Sequence, residues 1–403
     1  MKFDFTTMLD RKGMDALAVD ALGTGDPSFV PMAPEDGFDA IPMWVADMNF
    51  PTCPSITKAI ADRVSHPAFG YFAPRREYYD EIIAWHRVRN GVQGLSAGDI
   101  HYENGVLGGV LSALGVLCSR GDSVLLHSPA YIGFTNSLTA AGYHIVLSPL
   151  KLDEHGVWRM DFEDMEEKIA SGHIHTAIFC SPHNPCGRVW TEDEILRFME
   201  LCGKYDVHVI SDEIWSDIIL EGHIHIPTQA VSEDARRRTA ALYAPSKTFN
   251  LAGLVGSYSI IYDPTLRDRI RKESALSHYN SMNVLSMHAL IGAYRPDGYL
   301  WVDELRQVLT KNVDFACRFI EENFRGVKCA RPEGTYMLFA DCGEYCAARG
   351  LTLDDVLRAA WRVGAAVQDG RPFHGPSHIR INLALPLARV QEAFERLRKH
   401  VFI

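Results

Sequence analysis

The stretch TAIFCSPHNPCGRVWTEDEILRFMELCGKYDVHVISD, Thr176 to Asp212, decides the fold. It opens on the strand-forming run Thr176-Ala-Ile-Phe-Cys180 and turns through Asn184-Pro-Cys-Gly187. It closes on a second apolar run, Val207-His-Val-Ile210, followed by Ser211-Asp212. Between the runs Thr191-Glu-Asp-Glu194 is a capping box, whose hydroxyl and carboxylate answer the free N–H groups at a helix start. The helix it opens places Ile195, Phe198, Met199, Leu201 and Cys202 on one face. A strand, an amphipathic helix and a second apolar strand predict a mostly parallel sheet covered on both sides.

Outward from this unit the same rhythm continues. Ser123-Val-Leu-Leu-His127, Ala240-Ala-Leu-Tyr243 and Gly256-Ser-Tyr-Ser-Ile-Ile-Tyr262 are further candidate strands. From about Val327 the pattern changes to strands at Val327 to Ala330 and Thr335 to Ala340. A helix from Thr352, a strand at His378 to Leu383 and a last helix from about Leu387 complete the chain. Helices flanking a small sheet predict a separate α+β lobe, reached through the helical stretch Asp297 to Asn323. Gly23, Gly25, Pro27, Pro31, Pro34 and Gly37 break up the first forty or so residues. The expected division is an N-terminal arm and small-domain part over residues 1–45, a large domain over 46–290, and a small domain with its linking helix over 291–403.

Composition narrows the function. The chain has 403 residues, 47% hydrophobic and 23% charged, with a net charge of −11. That is the balance of a folded enzyme, and the acidic total without a Lys/Arg block predicts no nucleic-acid partner. The longest nearly apolar stretch, Gly105 to Cys118, is interrupted by Ser112 and falls short of the roughly 20 residues a membrane span needs. Asp10, Arg11 and Lys12 leave no apolar signal region, so a cytoplasmic protein without a membrane partner is expected. Nine cysteines without a CxxC pair predict buried, reduced thiols and no metal site.

The chemistry gathers at strand ends. Tyr131 comes after the run ending at His127, Asn184 after the run ending at Cys180, Asp212 after the run ending at Ile210, and Lys247 after the run ending at Tyr243. Singly, each has a bland reading: a solvated lysine, an Asn-Pro turn. Together, at the carboxyl edge of one sheet, they predict a shared pocket. Glu103-Asn-Gly-Val-Leu-Gly-Gly-Val110 opens a helix whose glycine-flanked start offers backbone N–H groups that suit a phosphate; close packing through small residues is the even alternative. An amine, a carboxylate, an amide donor, a stacking ring and an anion cradle are the parts of a pyridoxal-phosphate site.

Through Asn184-Pro-Cys-Gly187, Asp212-Glu213 and Ser246-Lys247 with Gly253 six residues on, the sequence resembles fold-type I pyridoxal-phosphate enzymes of the class I/II aminotransferase family. Met43-Trp-Val-Ala-Asp-Met-Asn-Phe50, Phe69-Gly-Tyr71 and Ala244 to Gly253 resemble its cystathionine β-lyase-like C–S lyase branch, and the match runs from Met43 to Asn382. The resemblance implies a large domain with a mostly parallel sheet flanked by helices plus a small α+β domain. It also implies that Lys247 holds pyridoxal 5'-phosphate covalently, Asp212 protonates its ring nitrogen, Asn184 bonds its phenolic oxygen and Tyr131 stacks on it. Val106, Leu107, Ser246 and a neighbouring subunit's Tyr71 would hold the phosphate, making the protein a homodimer. Arg380 would clamp the carboxylate of an amino-acid substrate, with Val45 and Ala46 opposite. Read from alternation with Ile379 and Ile381 alone, Arg380 would instead face solvent.

Two positions depart from the aminotransferase pattern: Val255 stands where many members carry a phosphate-binding arginine, and Trp215 where they carry a tyrosine. Both lean toward the lyase branch. The expected activity is cysteine-S-conjugate or cystathionine β-elimination, with Lys247 as general base and Asp212 as its electronic partner. An aminotransferase is the alternative, and a cofactor-binding regulatory protein a third reading. Tyr102, Trp215, Tyr279 and Arg371 are candidates for shaping the pocket, with packing or surface roles the even alternative.

Overall fold

The computed structural model describes residues 1–25 and 29–403; Asp26, Pro27 and Ser28 lie outside the described residues. The larger of its two main sheets has seven strands. Their spatial order is Ile100–Glu103, Ser257–Ile260, Thr239–Tyr243, His208–Asp212, Thr176–Cys180, Ser123–Ser128 and His144–Pro149. Ser257–Ile260 runs against both its neighbours, and the other pairings are parallel. Six carboxyl ends therefore share one edge of the sheet, and the amino end of Ser257–Ile260 joins them there.

Both faces of this sheet are buried because alternate residues along each strand feed opposite cores. Ile178, Cys180, Ile210, Ala240 and Leu242 pack against Val106, Val110, Ala113 and Leu114 of the helix Gly105–Leu117. Ala177, Phe179 and Val209 pack against Ile195, Phe198, Met199 and Cys202 of the helix Glu192–Lys204. Phe179 stacks on Phe198 with ring centroids 4.7 Å apart. The capping box at that helix is formed: Glu194 N–H donates to Thr191 Oγ1 at 3.2 Å, and Thr191 N–H to Glu194 Oε2 at 2.9 Å.

The second sheet has five strands in the order Ile41–Met43, Ala365–Asp369, His378–Asn382, Met337–Asp341 and Lys328–Cys329. The chain reaches it from the large sheet through the helix Pro296–Asn323. Its first strand comes from the N-terminal part of the chain and pairs in parallel with Ala365–Val367. Four strands across the two sheets, Ile41–Met43, Ile100–Glu103, His144–Pro149 and Ala365–Asp369, fall outside the sequence-based expectation. The first contains Pro42 and is only three residues long; its existence depends on a partner far along the chain. Before it, among the described residues, only the short helix Leu17–Asp20 is regular.

Candidate functional site

A cavity of about 300 Å³ opens at the shared edge of the large sheet. Tyr131, Asn184, Asp212 and Lys247 line it, each supplied by the loop or end of a different strand, together with Val106, Leu107, Ser246 and Ala46. Lys247 sits in the turn Pro245–Thr248 that comes directly after Thr239–Tyr243. Asp212 is the last residue of its strand and is buried. Asn184 is held in the Pro-rich turn after Cys180, where Gly187 at φ +69° lies so close to Pro332 that a Cβ would approach it to 2.3 Å.

Burial sets the charge states of this group. The Asp212 carboxyl is pushed up to about 7 by loss of water, against the pull of the Ile214 N–H at 3.1 Å and of Lys247, and with a further push from Glu213. The Lys247 amine is brought down to about 8, first by burial and then by Arg380, while Asp47 and Asp212 oppose the shift. An amine and a carboxyl with mid-range values in one cleft are groups that can exchange protons near neutrality. Glu213, one residue on, faces away from this pairing and stays ionised. It is fully buried yet accepts from His225 Nε2 at 2.8 Å, Tyr243 Oη at 2.7 Å, Ser211 Oγ at 2.9 Å and Thr228 N at 3.1 Å.

The start of the helix Gly105–Leu117 lines the cavity. Asn104 makes no side-chain cap to the helix Gly105–Leu117, so the first-turn N–H groups at the cavity wall keep their donors. Gly105, at φ +71°, takes the left-handed conformation that turns the chain into that helix. The ring of Tyr131 lies against Gly133, where a Cβ would come within 2.3 Å of it, so only glycine leaves the ring its place.

Arg380 stands beside this cavity. Its strand is buried on both faces, and the guanidinium is buried with it; the solvent-facing reading from alternation alone is therefore corrected. Arg380 Nη1 donates to Asn184 Oδ1 at 3.2 Å and Nη2 to the Trp44 carbonyl at 3.1 Å and to Gln368 Oε1. Gln368 is its cross-strand partner, and the Phe373 ring lies 4.3 Å from the guanidinium carbon. Arg380 Nε is buried with no partner among the described residues. The Val45 carbonyl accepts from Asn382 Nδ2 at 2.7 Å.

Other expected positions lie apart. Tyr71 is fully exposed and lines a separate cleft with Phe69, Phe72 and Tyr102, whose hydroxyl donates to the Val255 carbonyl at 2.8 Å. Tyr279 is exposed, and Arg371 pairs with Asp354 and Asp369, so neither enters the cavity. Trp215 does line it. Val255, at φ +45°, is a β-branched residue in left-handed backbone at the cavity rim, a strained arrangement. Sequence reading passed over Gln368, Phe373 and Tyr336. The first two approach Arg380 only through strand pairing and loop folding, which leave no local signal.

The fold and the cavity define a class, and the chain belongs to it: the class I and II aminotransferase family, whose model matches residues 40–397. Within that family the chain is 33% identical to cystathionine beta-lyase PatB of Bacillus subtilis (strain 168), over 89% of this chain and 92% of that one. The pyridoxal-phosphate-bound C-S lyase of Staphylococcus hominis superposes with a TM-score of 0.89 at 28% identity, covering 100% of this chain and 99% of the other. Cystalysin of Treponema denticola, which contains pyridoxal 5'-phosphate, gives a TM-score of 0.89 at 29% identity over 99% and 98%. Among the described residues no helix is long and apolar enough to cross a membrane.

Proposed function

We propose that this protein is a pyridoxal-phosphate-dependent C–S β-lyase, a cytoplasmic homodimer that converts cystathionine or a related L-cysteine S-conjugate to pyruvate, ammonia and a thiol. The observation that carries the reading is the convergence of Lys247, Asp212, Asn184 and Tyr131 on one cavity floored by uncapped helix N–H groups. That donor set fits the cofactor: an amine for its aldehyde, a carboxylate for its ring nitrogen, an amide for its phenolic oxygen and donors for its phosphate. The names of the relatives favour elimination over transamination, as do Val255 and Trp215 in place of polar cofactor contacts.

When bound, the cofactor supplies an electron sink for the pair released as the substrate Cα–H bond breaks. The chain's residues do the rest. Arg380 binds the substrate carboxylate through a planar, permanently charged fork, with Val45 and Ala46 opposite. Asp212 holds a proton at the ring nitrogen, Asn184 bonds the phenolic oxygen, and Tyr131 covers the ring and excludes water. Val106 and Leu107 N–H and the Ser246 hydroxyl bind the phosphate. Lys247, once free, takes the Cα proton; its lowered value leaves a useful fraction unprotonated near neutral pH. The electron pair left by the Cα proton expels the sulfur, the departing thiolate takes up a proton to become the thiol, and water hydrolyses the released three-carbon enamine to pyruvate and ammonia.

The full exposure of Tyr71, outside the cavity of its own chain, supports its service to a second subunit's phosphate. The same reading makes residues 46–290 the large domain, with residues 1–45 and 291–403 forming the small one. Subunit mixing tests the shared site. Tyr71→Ala and Lys247→Ala are each nearly inactive alone, and refolded together they regain about a quarter of the wild-type rate, because half the dimers are mixed and each of these carries one intact site. No regain shows that Tyr71 serves its own chain.

The reaction is tested with purified protein, L-cystathionine and no keto acid. Continuous release of pyruvate and free thiol over many turnovers, with the cofactor spectrum retained, is the expected result. A single stoichiometric conversion to the aminated cofactor without pyruvate identifies an aminotransferase instead.

A further inference from the structure

The Ala46 carbonyl accepts two hydrogen bonds from opposite parts of the molecule. Lys247 Nζ donates to it at 2.9 Å and the Tyr336 hydroxyl at 3.0 Å, so both lone pairs are engaged. Tyr336 is fully buried and belongs to the segment just before Met337–Asp341 in the small sheet. Its ring meets Trp215 edge-on, with centroids 4.7 Å apart, and Lys247 Nζ lies 5.7 Å from the Trp215 ring centre. The Ala46 carbonyl and the Trp215 ring thus flank the amine, and Tyr336 contacts both of them.

The carbonyl itself is immobilised. Arg380 holds the Trp44 carbonyl at 3.1 Å, and Asn382 Nδ2 reaches the Val45 and Asp47 carbonyls at 2.7 and 2.6 Å. From the other side Asn250, three residues after Lys247, exchanges two bonds with the Met48 backbone at 2.9 and 3.0 Å. Arg11 then closes on Asp47 at 2.5 Å. A loop fixed on either side of Ala46, at Trp44, Val45, Asp47 and Met48, presents a rigid acceptor to the lysine.

We infer that Trp215, Tyr336 and the Ala46 carbonyl form a seat for the Lys247 amine in the interval when it is free, and that Tyr336 is the positioning residue of that seat. The inference rests on the reading of Lys247 as cofactor lysine and catalytic base. A lysine side chain has four rotatable bonds, and a released amine would sample many directions. Bonded to a fixed carbonyl and backed by an aromatic face, it keeps one direction and reaches the Cα proton repeatedly from the same place. The Tyr336 hydroxyl occupies the second lone pair and sets the side from which the amine approaches. The other charged groups facing this amine are Arg380, Asp47 with its partner Arg11, and Asp212. Tyr336 differs from these in being neutral, so its contribution is directional.

Tyr336→Phe in the cofactor-loaded enzyme tests this. The seat is used only while the lysine is free, so kcat falls about tenfold while KM stays within about twofold. The absorption spectrum of the bound cofactor and its pH titration stay as in wild type. Tyr336→His, which restores a ring with a donor, recovers part of the loss. An unchanged kcat overturns the inference, as does a shift of the cofactor's spectral titration alongside kcat, which would place Tyr336 on the cofactor instead. Where Tyr336→Phe fails to fold, Asn250→Gly, outside the cavity lining, keeps the left-handed backbone, removes both bonds to Met48 and so loosens the loop that carries the Ala46 carbonyl; it must show the same split between kcat and spectrum. Absence of a borohydride-reducible adduct on wild-type Lys247 defeats the underlying reading of the lysine; its presence with unaffected variants defeats the seat alone.

Discussion

Lys247→Ala loses turnover by about four orders of magnitude, the upper range for removing a positioned general base, and with it every borohydride-reducible cofactor adduct. Both losses come from one side chain because, among the described residues, Lys247 is the lysine that lines the cavity beside Asp212. The measurement is reduction of the holoenzyme and then peptide mass analysis, alongside pyruvate release. A reducible adduct that persists at another lysine refutes the assignment. In wild type the amine is brought down to about 8, and a base must be unprotonated to act. Activity limited by this amine therefore falls as pH drops through about 8 and approaches a plateau above it. Arg380 supplies part of that lowering, so removing its charge moves the limb to higher pH.

Asp212→Asn has two expected effects of opposite sign. Turnover falls about 10²-fold or more, the range for losing one preorganised electrostatic contact to a developing charge. The cofactor-free protein, in contrast, gains thermal stability at pH 8. The carboxyl is raised from 3.8 to about 7 by burial in the fold. Across that window the folded chain keeps a proton that the unfolded chain has released, so stability falls as pH rises, and the whole penalty is present above about 7. Asparagine carries no charge and escapes it. Melting curves of the cofactor-free variant and wild type converge below about pH 4, where the carboxyl is protonated in both states, and separate at pH 8. Equal melting temperatures at pH 8 show that the buried carboxylate is already compensated. A gain in stability that comes with a loss of activity is the usual mark of a group placed for function.

Much of this site is legible because of how a parallel sheet presents its ends. Tyr131, Asn184, Asp212 and Lys247 each come shortly after an apolar run of four or five residues, and runs that pair in parallel bring the residues beyond their carboxyl ends to one edge. The capping box at Thr191 is equally local, since N–H groups at a helix start seek partners within a few residues. Arg380 is a different case. Alternation with Ile379 and Ile381 describes a half-exposed strand, and the strand is instead covered on both faces, by Phe373 and the 44–48 loop on the arginine's side.

By itself the sequence determined the α/β class, the edge at which ligands gather and the amine, carboxylate, amide and ring that meet there. Those depend on periodicities of a few residues and on interactions that close within one strand–helix unit. The tertiary structure alone decided what surrounds them. It set Arg380 against Asn184 and Gln368, brought Tyr336 and Lys247 to a single carbonyl of the 44–48 loop, and left Tyr71 outside its own cavity. It also paired Ile41–Met43 with a strand near the other end of the chain. Contacts between separate elements of the chain are selected by the burial of whole faces and the satisfaction of whole networks, and no short stretch of sequence contains that information.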